Sequence, residues 1–239
     1  MDVKLVGNET QKLYELTRHL RRIPPTSRNN FDAAQIQGCD QQPNPGIHRR
    51  AAVLVCIFEG GDGDLRVILT ERSLNLSSHS GEVALPGGKM EEGDADEVAT
   101  ALREAKEEIG LDPSLVDVVT VLNPVTLKNG MVVVPVIGLL YDKLAFRPTP
   151  NPAEVEAIFD APLEMFLKNN NRREVEGDWM GQKYALHYFD YEANGRKHVI
   201  FALTAGILIQ TASLVYQQSP AFEEKKPNFW RRKVSSSSL

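Results

Sequence analysis

Cysteine is scarce in this chain: 239 residues contain two, Cys39 and Cys56. Two cannot build the disulfide framework of a small secreted domain. Cys56 lies in an apolar run and reads as a small buried side chain, whereas Cys39 falls in a polar stretch. That usage fits a reducing compartment. Long apolar runs are missing too, since a membrane-spanning helix needs about 20 such residues. The most apolar segment, 201–215, is shorter and reads as a core helix. Nor is positive charge in excess. A formal net charge of −5 argues against a nucleic-acid-binding surface as the main business of the chain. It leaves room for a small anionic substrate, because local Lys, Arg or a cation can reverse the field. The first residues show no signal-peptide core, and their acidic side chains disfavour a transit peptide. A cytoplasmic location is expected, with a peroxisomal or mitochondrial one as the alternatives. The terminal Ser237-Ser238-Leu239 only faintly resembles a peroxisomal address, because its middle residue is not basic.

What is present is the make-up of a globular domain, with 42% hydrophobic and 25% charged residues. Residues 8–22 place Leu13, Leu16, Leu20 and Ile23 on one side of a short helix that would pack on the domain or on a second subunit. Residues 24–48 are rich in Pro, Asn, Gln and Gly and read as a linker, so the expected division is 1–48, 49–230 and a low-complexity tail at 231–239. Apolar β-rich runs at 50–58 and 65–70 flank a hairpin turn, and 116–122 and 131–140 read as further strands. A short helix is expected at 162–167, a hairpin around Asn194-Gly195, and a closing helix at 204–216. Mixed strands with few helices suggest an α+β or a three-layered α/β/α arrangement.

The densest information lies in residues 81–110, GEVALPGGKMEEGDADEVATALREAKEEIG. A Pro86-Gly87-Gly88 turn precedes a helix for which Asp94 reads as N-cap, Glu97 as its box partner and Gly110 as the stop. Val98, Ala101, Leu102, Ala105 and Ile109 form its buried face. At about 100° per residue, Glu104 and Glu108 sit about 40° apart on a flanking stripe, with Glu97 on the same stripe two turns earlier. Glu107 lies further towards solvent. Clustered carboxylates repel one another, so a helix that keeps them together has use for a cation. A hard cation with oxygen ligands suits chemistry on a bound phosphate. The competing account is a solvated acidic face with Arg103 paired to Glu107 at i+4. The specific turn beforehand weighs against it, since Gly87 and Gly88 let backbone groups approach a ligand closely.

At these residues the chain resembles the Nudix hydrolases. Gly88 opens their signature, and Arg103-Glu104-Ala105-Lys106-Glu107-Glu108-Ile109-Gly110-Leu111 closes it without a mismatch. The middle departs: Asp94 stands where the pattern has Glu, and eight residues rather than seven separate it from Arg103. Asp94 is therefore assigned to capping. Upstream, Leu69-Thr70-Glu71-Arg72-Ser73, Leu76, His79, Gly81-Glu82 and Leu85-Pro86-Gly87-Gly88 resemble the coenzyme A diphosphatase branch, and longer stretches over about residues 50–230 are similar to its plant members.

The resemblance implies a Nudix-type α/β/α sandwich with a mixed sheet, plus the N-terminal helix. It implies an Mg²⁺-dependent hydrolase, with Mn²⁺ as a substitute, that splits coenzyme A or its thioesters to 3′,5′-ADP and 4′-phosphopantetheine. On this reading Glu104, Glu108, Glu107 and the Gly88 carbonyl hold the metal. Glu107 shares that role or deprotonates the water, and Arg103 orients the glutamates. Arg72, Ser73, His79, Ser80, Gly87 and Gly88 meet the substrate. His79 reads equally as a pin for its own loop, Arg72 could pair with Glu82, and Trp179 and Trp230 read as core or surface anchors. The expected partner is a nucleotide-type small molecule, without nucleic acid or membrane; a homodimer is compatible with the family. Alternatives are a hydrolase of ADP-ribose, NADH or an oxidised nucleotide, or a non-catalytic nucleotide-binding module, although such modules typically lack one of the glutamates kept here.

Overall fold

The computed structural model describes residues 6–23, 50–227 and 230. The linker expected at 24–48, Cys39 and the tail lie outside the described residues. Three helices, α1 (Val6–Leu20), α2 (Glu97–Ile109) and α3 (Ala202–Tyr216), pack against a mixed sheet and a smaller antiparallel one.

The sheet is centred on β1 (Arg50–Glu59), which pairs antiparallel with β2 (Leu65–Arg72) and parallel with β7 (Val132–Leu140). Short strands β3 (Val83–Ala84) and β4 (Gly87–Lys89) add to β2 and β1, β5 (Val116–Val121) and β6 (Val125–Thr126) add to β7, and β8 (Val155–Pro162) adds to β2. β9 (Arg172–Trp179), β10 (Gln182–Ala193) and β11 (Arg196–Phe201) make the second sheet, with its hairpin turn at Asn194-Gly195.

Alternation along β1 explains the layering. Ala52, Leu54, Cys56 and Phe58 face one cluster with Ala101, Ala105 and Ile109 of α2. Val55 and Ile57 face the other, with Leu13, Leu16 and Leu20 of α1 and Ile207, Leu208 and Ala212 of α3. A strand covered on both faces reads as an unbroken apolar run rather than an alternating one, and β1 and β7 do so. The result is the expected α/β/α sandwich. α1 is further tied down by Arg21 on Asp117 at 2.6 Å and by His19 Nε2 to the Leu214 carbonyl at 3.2 Å. Cys56 is fully buried, which pushes its thiol up to about 12 and leaves it unreactive.

Some expectations need correction. Asp94 does not cap α2; Asp96 does, accepting from the Ala99 amide at 2.9 Å, and Glu97 is the first helical residue. Pro86-Gly87-Gly88 is not a free turn, because Gly87 and Gly88 belong to β4 and lie opposite Val53 and Ala52. β8 and β9 are additional strands. Trp179 has Lys128 Nζ 4.8 Å above its ring, and Trp230 lies so close over Gly206 that a Cβ there would meet ring carbon at 2.4 Å. Both placements suit an anchoring role. Among the described residues no helix is long and apolar enough to cross a membrane.

Candidate active site

The site forms where α2 passes beneath β4. The Gly87 amide donates to Glu108 Oε2 at 3.0 Å, while a Cβ on Gly88 would sit 2.4 Å from Glu104 Oε1. Glycine is thus required at 88 to let the Glu104 carboxylate lie against the strand. One helical turn separates the two acids, so β4 receives both on one stripe of α2. Gly110 at φ 72° ends the helix just beyond them, its N–H returning to Lys106.

Arg103 organises the neighbours. Its Nε and Nη2 bind Asp94 at 2.9 and 3.0 Å, Nη1 binds Glu107 at 2.9 Å, and Nη2 also reaches the Lys89 carbonyl and Glu104 at 3.1 Å. A guanidinium has five N–H donors, and these partners occupy nearly all of them. Arg103 is thus engaged with the glutamates and not with open space. Asp94, whose side chain is 6% exposed, also accepts from Thr100 Oγ1 at 2.9 Å. Its hydrogen bonds with Arg103 hold its carboxyl far below the usual range.

Burial dominates the electrostatics of the two inner acids. Desolvation pushes the Glu108 carboxyl up to about 7; the Gly87 amide and Arg72 pull the other way, and Glu104 and Glu154 add like charge. Glu104 is raised as well, again chiefly by burial, with Arg103 opposing and Glu107 and Glu154 reinforcing. Two carboxylates whose charge is not fully balanced by protein fit a divalent cation. Among the described residues no three carboxylate, imidazole or thiol side chains stand together as a closed cage. Arg103 holds Glu107 outward at 55% exposure. That arrangement suits Mg²⁺, which typically takes one or two carboxylates and completes its shell with water and phosphate oxygens.

The other expected residues divide. Arg72 Nη1 stands 3.8 Å from Glu108 Oε1; its side chain does not pair with Glu82, whose carbonyl instead accepts from the Arg72 backbone N–H at 3.0 Å. His79 holds Glu82 at 2.9 Å, Ser80 Oγ donates to the Leu74 carbonyl at 2.9 Å, and buried Ser73 accepts from the Asn75 amide at 3.3 Å. These three bind their own loop, with His79 at φ 55° near its tip. Glu97 pairs with Arg50 rather than joining the inner acids. Glu154, absent from the sequence reading, is brought in by backbone bonds: its carbonyl accepts from Ser73 at 2.8 Å, and nearby Asn151 donates to the Glu108 carbonyl at 2.9 Å. An isolated acid in Asn-Pro-Ala-Glu-Val carries no local signal of that placement.

A groove of about 330 Å³ lies elsewhere, lined by Ile23, Leu122, Asn123, Gln210, Ser213 and Leu214 among others. It offers no titratable side chain.

Two largely buried acids of α2, held against a glycine strand and steadied by an arginine, make a site with the charge to suit a divalent cation. A family model described as the NUDIX domain matches residues 48–199. Nudix hydrolase 15, mitochondrial, of Arabidopsis thaliana is 61% identical over 194 residues, covering 81% of this chain and 68% of that protein. Nudix hydrolase 22, chloroplastic, from the same plant is 61% identical over 187 residues, covering 78% and 62%. A peroxisomal coenzyme A diphosphatase of Mus musculus is 37% identical over 174 residues, covering 72% of each chain. The chain belongs to the Nudix family, and spans roughly two thirds of the two plant relatives it matches.

Proposed function

We propose that this chain is a divalent-metal-dependent pyrophosphatase-type hydrolase whose substrate is coenzyme A or one of its thioesters. The observation that carries the reading is the under-compensated pair of half-buried Glu104 and buried Glu108 against Gly87 and Gly88. The substrate assignment draws on the 69–88 motif and on similarity to the mouse coenzyme A diphosphatase.

Glu104 and Glu108 would hold Mg²⁺, or Mn²⁺ in its place, with the Gly88 carbonyl and Glu107 as further donors. When bound, the ion offsets charge on the diphosphate and lowers the pKa of a coordinated water. The protein's own part is positional. Arg103 fixes Glu104 and Glu107, and the Gly87 amide fixes Glu108. A water oxygen forms a bond to one phosphorus as the bridging P–O bond breaks, and the water's proton passes to a carboxylate. Glu107 would take it, with Glu154, whose charge is felt by both Glu104 and Glu108, as the alternative. The products are 3′,5′-ADP and phosphopantetheine or its acyl form. The relatives' names place them in mitochondrion, chloroplast and peroxisome, so an organelle is as well supported for this chain as the cytoplasm.

Incubation with Mg²⁺ and a panel of coenzyme A, acetyl-coenzyme A, ADP-ribose, NADH and oxidised nucleotides tests this directly. Phosphopantetheine release should dominate. Glu104→Gln and Glu108→Gln should each lower turnover by about a thousandfold, while melting temperatures stay near that of the parent. Preferential cleavage of ADP-ribose or NADH overturns the substrate assignment; unfolding of both variants restores a structural account of the acids.

A further inference from the structure

A helix leaves its last four backbone carbonyls without helical partners. At the end of α2 a distant segment returns to meet two of them. Thr149 donates to the Ile109 carbonyl and Asn151 to the Glu108 carbonyl, both at 2.9 Å. Asn151 does more than close the helix. Its own carbonyl accepts from the amides of Glu154 at 3.0 Å and Val155 at 2.8 Å, and its side-chain Oδ1 accepts from the Ala153 amide at 3.1 Å. One residue thus joins the end of α2 that carries Glu108 to the turn that carries Glu154.

The local sequence, Asn151-Pro152-Ala153-Glu154, suits that turn. A residue ahead of proline is pushed to extended backbone, and Pro152 fixes the next φ while bringing no N–H. An asparagine oxygen then reaches the amide two residues on. The exit is held as well: the Glu154 carbonyl accepts from Ser73 at 2.8 Å, and buried Val155 enters β8. Any residue could make the main-chain bonds of Asn151; only the bond to Ala153 asks for a side-chain acceptor. Asparagine supplies one without a further negative charge near Glu108 and Glu154. Glu154 in turn stands close enough to both inner acids to add like charge to them. One short turn therefore sets how Glu154 stands to Glu108.

We propose that Asn151 is a positioning residue: its side-chain bond to Ala153 holds the turn between the end of α2 and Glu154, and so fixes that third carboxylate beside the inner pair. Asn151 itself meets neither cation nor substrate and acts through Glu154. Without the bond the turn loosens and Glu154 moves away, while Glu104 and Glu108 keep their places against Gly88 and Gly87. This rests on the reading of Glu104 and Glu108 as metal ligands, but on no particular substrate.

The test is a double-mutant cycle of Asn151→Ala and Glu154→Gln, read by calorimetric titration of Mg²⁺ and by turnover at saturating Mg²⁺ on whichever compound of the panel is cleaved fastest. Asn151→Ala should weaken Mg²⁺ binding and lower kcat, each about fivefold, the effect of one ordinary hydrogen bond. KM should stay within about twofold and Tm within a few degrees of the parent. Asn151→Asp, which keeps the acceptor, should recover both losses. In the metal-free protein the Ala153 amide should exchange faster in Asn151→Ala but not in Asn151→Asp. In the Glu154→Gln background Asn151→Ala should do nothing further. If it costs the same factor with and without Glu154, Asn151 is a general support of the fold and the inference is overturned. Should Asn151→Ala not fold, Asn151→Ser, a weaker acceptor, takes its place in the cycle. Loss of Mg²⁺ uptake in Glu104→Gln and Glu108→Gln beside an unaltered Asn151→Ala removes the Asn151 role and leaves the proposed function standing. Wild type that takes up no Mg²⁺ defeats both.

Discussion

Asp94 and Asp96 are two residues apart, both acidic and both ahead of α2, yet they do different work. Asp96 satisfies one helix N–H, a contribution of about 1 kcal/mol. Asp94 grips Arg103 through two bonds and sits almost out of solvent. Asp94→Asn removes the charge from a largely buried pair and should cost about 2–4 kcal/mol, several degrees in Tm, with a marked loss of activity as Glu104 and Glu107 lose their anchor. Asp96→Ala should cost about 1 kcal/mol and leave turnover nearly unchanged. Thermal melts with turnover assays distinguish the pair, and equal effects would reject this division of roles. The residue types and spacing of 103–110 were readable in sequence because helical geometry alone puts Glu104 over Glu108. Asp94 was misread because a short acid before a helix has the same local signature whether it caps or pairs. Arg103, nine positions on, is the partner that distinguishes the two, and only folding brings it back.

β4 shows how a short element carries disproportionate weight. A Cβ at Gly87 would meet the Ala52 carbonyl at 2.3 Å and Val53 Cα at 2.6 Å, both backbone of β1. At Gly88 the obstacle is the Glu104 carboxylate, the far end of a flexible side chain. Gly87→Ala should therefore force β4 off β1 and destabilise by about 2–3 kcal/mol. Gly88→Ala should melt within a few degrees of the parent and lose most of its Mg²⁺ affinity, because Glu104 must move. Calorimetry with melting curves checks both, and the reverse pattern would contradict the assignment. Among the strands, β1, β2, β5 and β7 were legible as apolar runs. β8 carried a readable pattern too, with Val155, Phe159 and Ala161 buried at alternate positions. β9 did not: its sequence RREVEGDW has no apolar alternation, because it is the exposed edge of a small sheet and takes its structure from pairing with β10.

For the molecule as a whole, the site stores a pH dependence. Glu108 is raised from an ordinary 4.5 to about 7, so the folded state holds its proton more tightly than the unfolded chain. Its contribution to stability is present below 4.5 and is lost as pH rises through about 7. A cation competes for the same oxygens, so Mg²⁺ should raise Tm more at pH 8 than at pH 6, and chelation should erase the difference. In Glu108→Gln the metal-free protein should melt with a flatter pH profile across that window and show little Mg²⁺ response. A wild-type Mg²⁺ shift independent of pH would argue against Glu108 as the ligand.

Helix periodicity and glycine placement already specified α2, its buried face and the stripe shared by Glu104 and Glu108, because these follow from contacts within a few residues, whereas the three-layered sandwich came from the family resemblance. Assembly was needed for everything that joins distant segments: Asp94 to Arg103, Glu154 to the inner acids, and Arg72 to Glu108. Burial under β4, which the helix's own pattern does not encode, is what raises the carboxyls at 104 and 108 above their ordinary range.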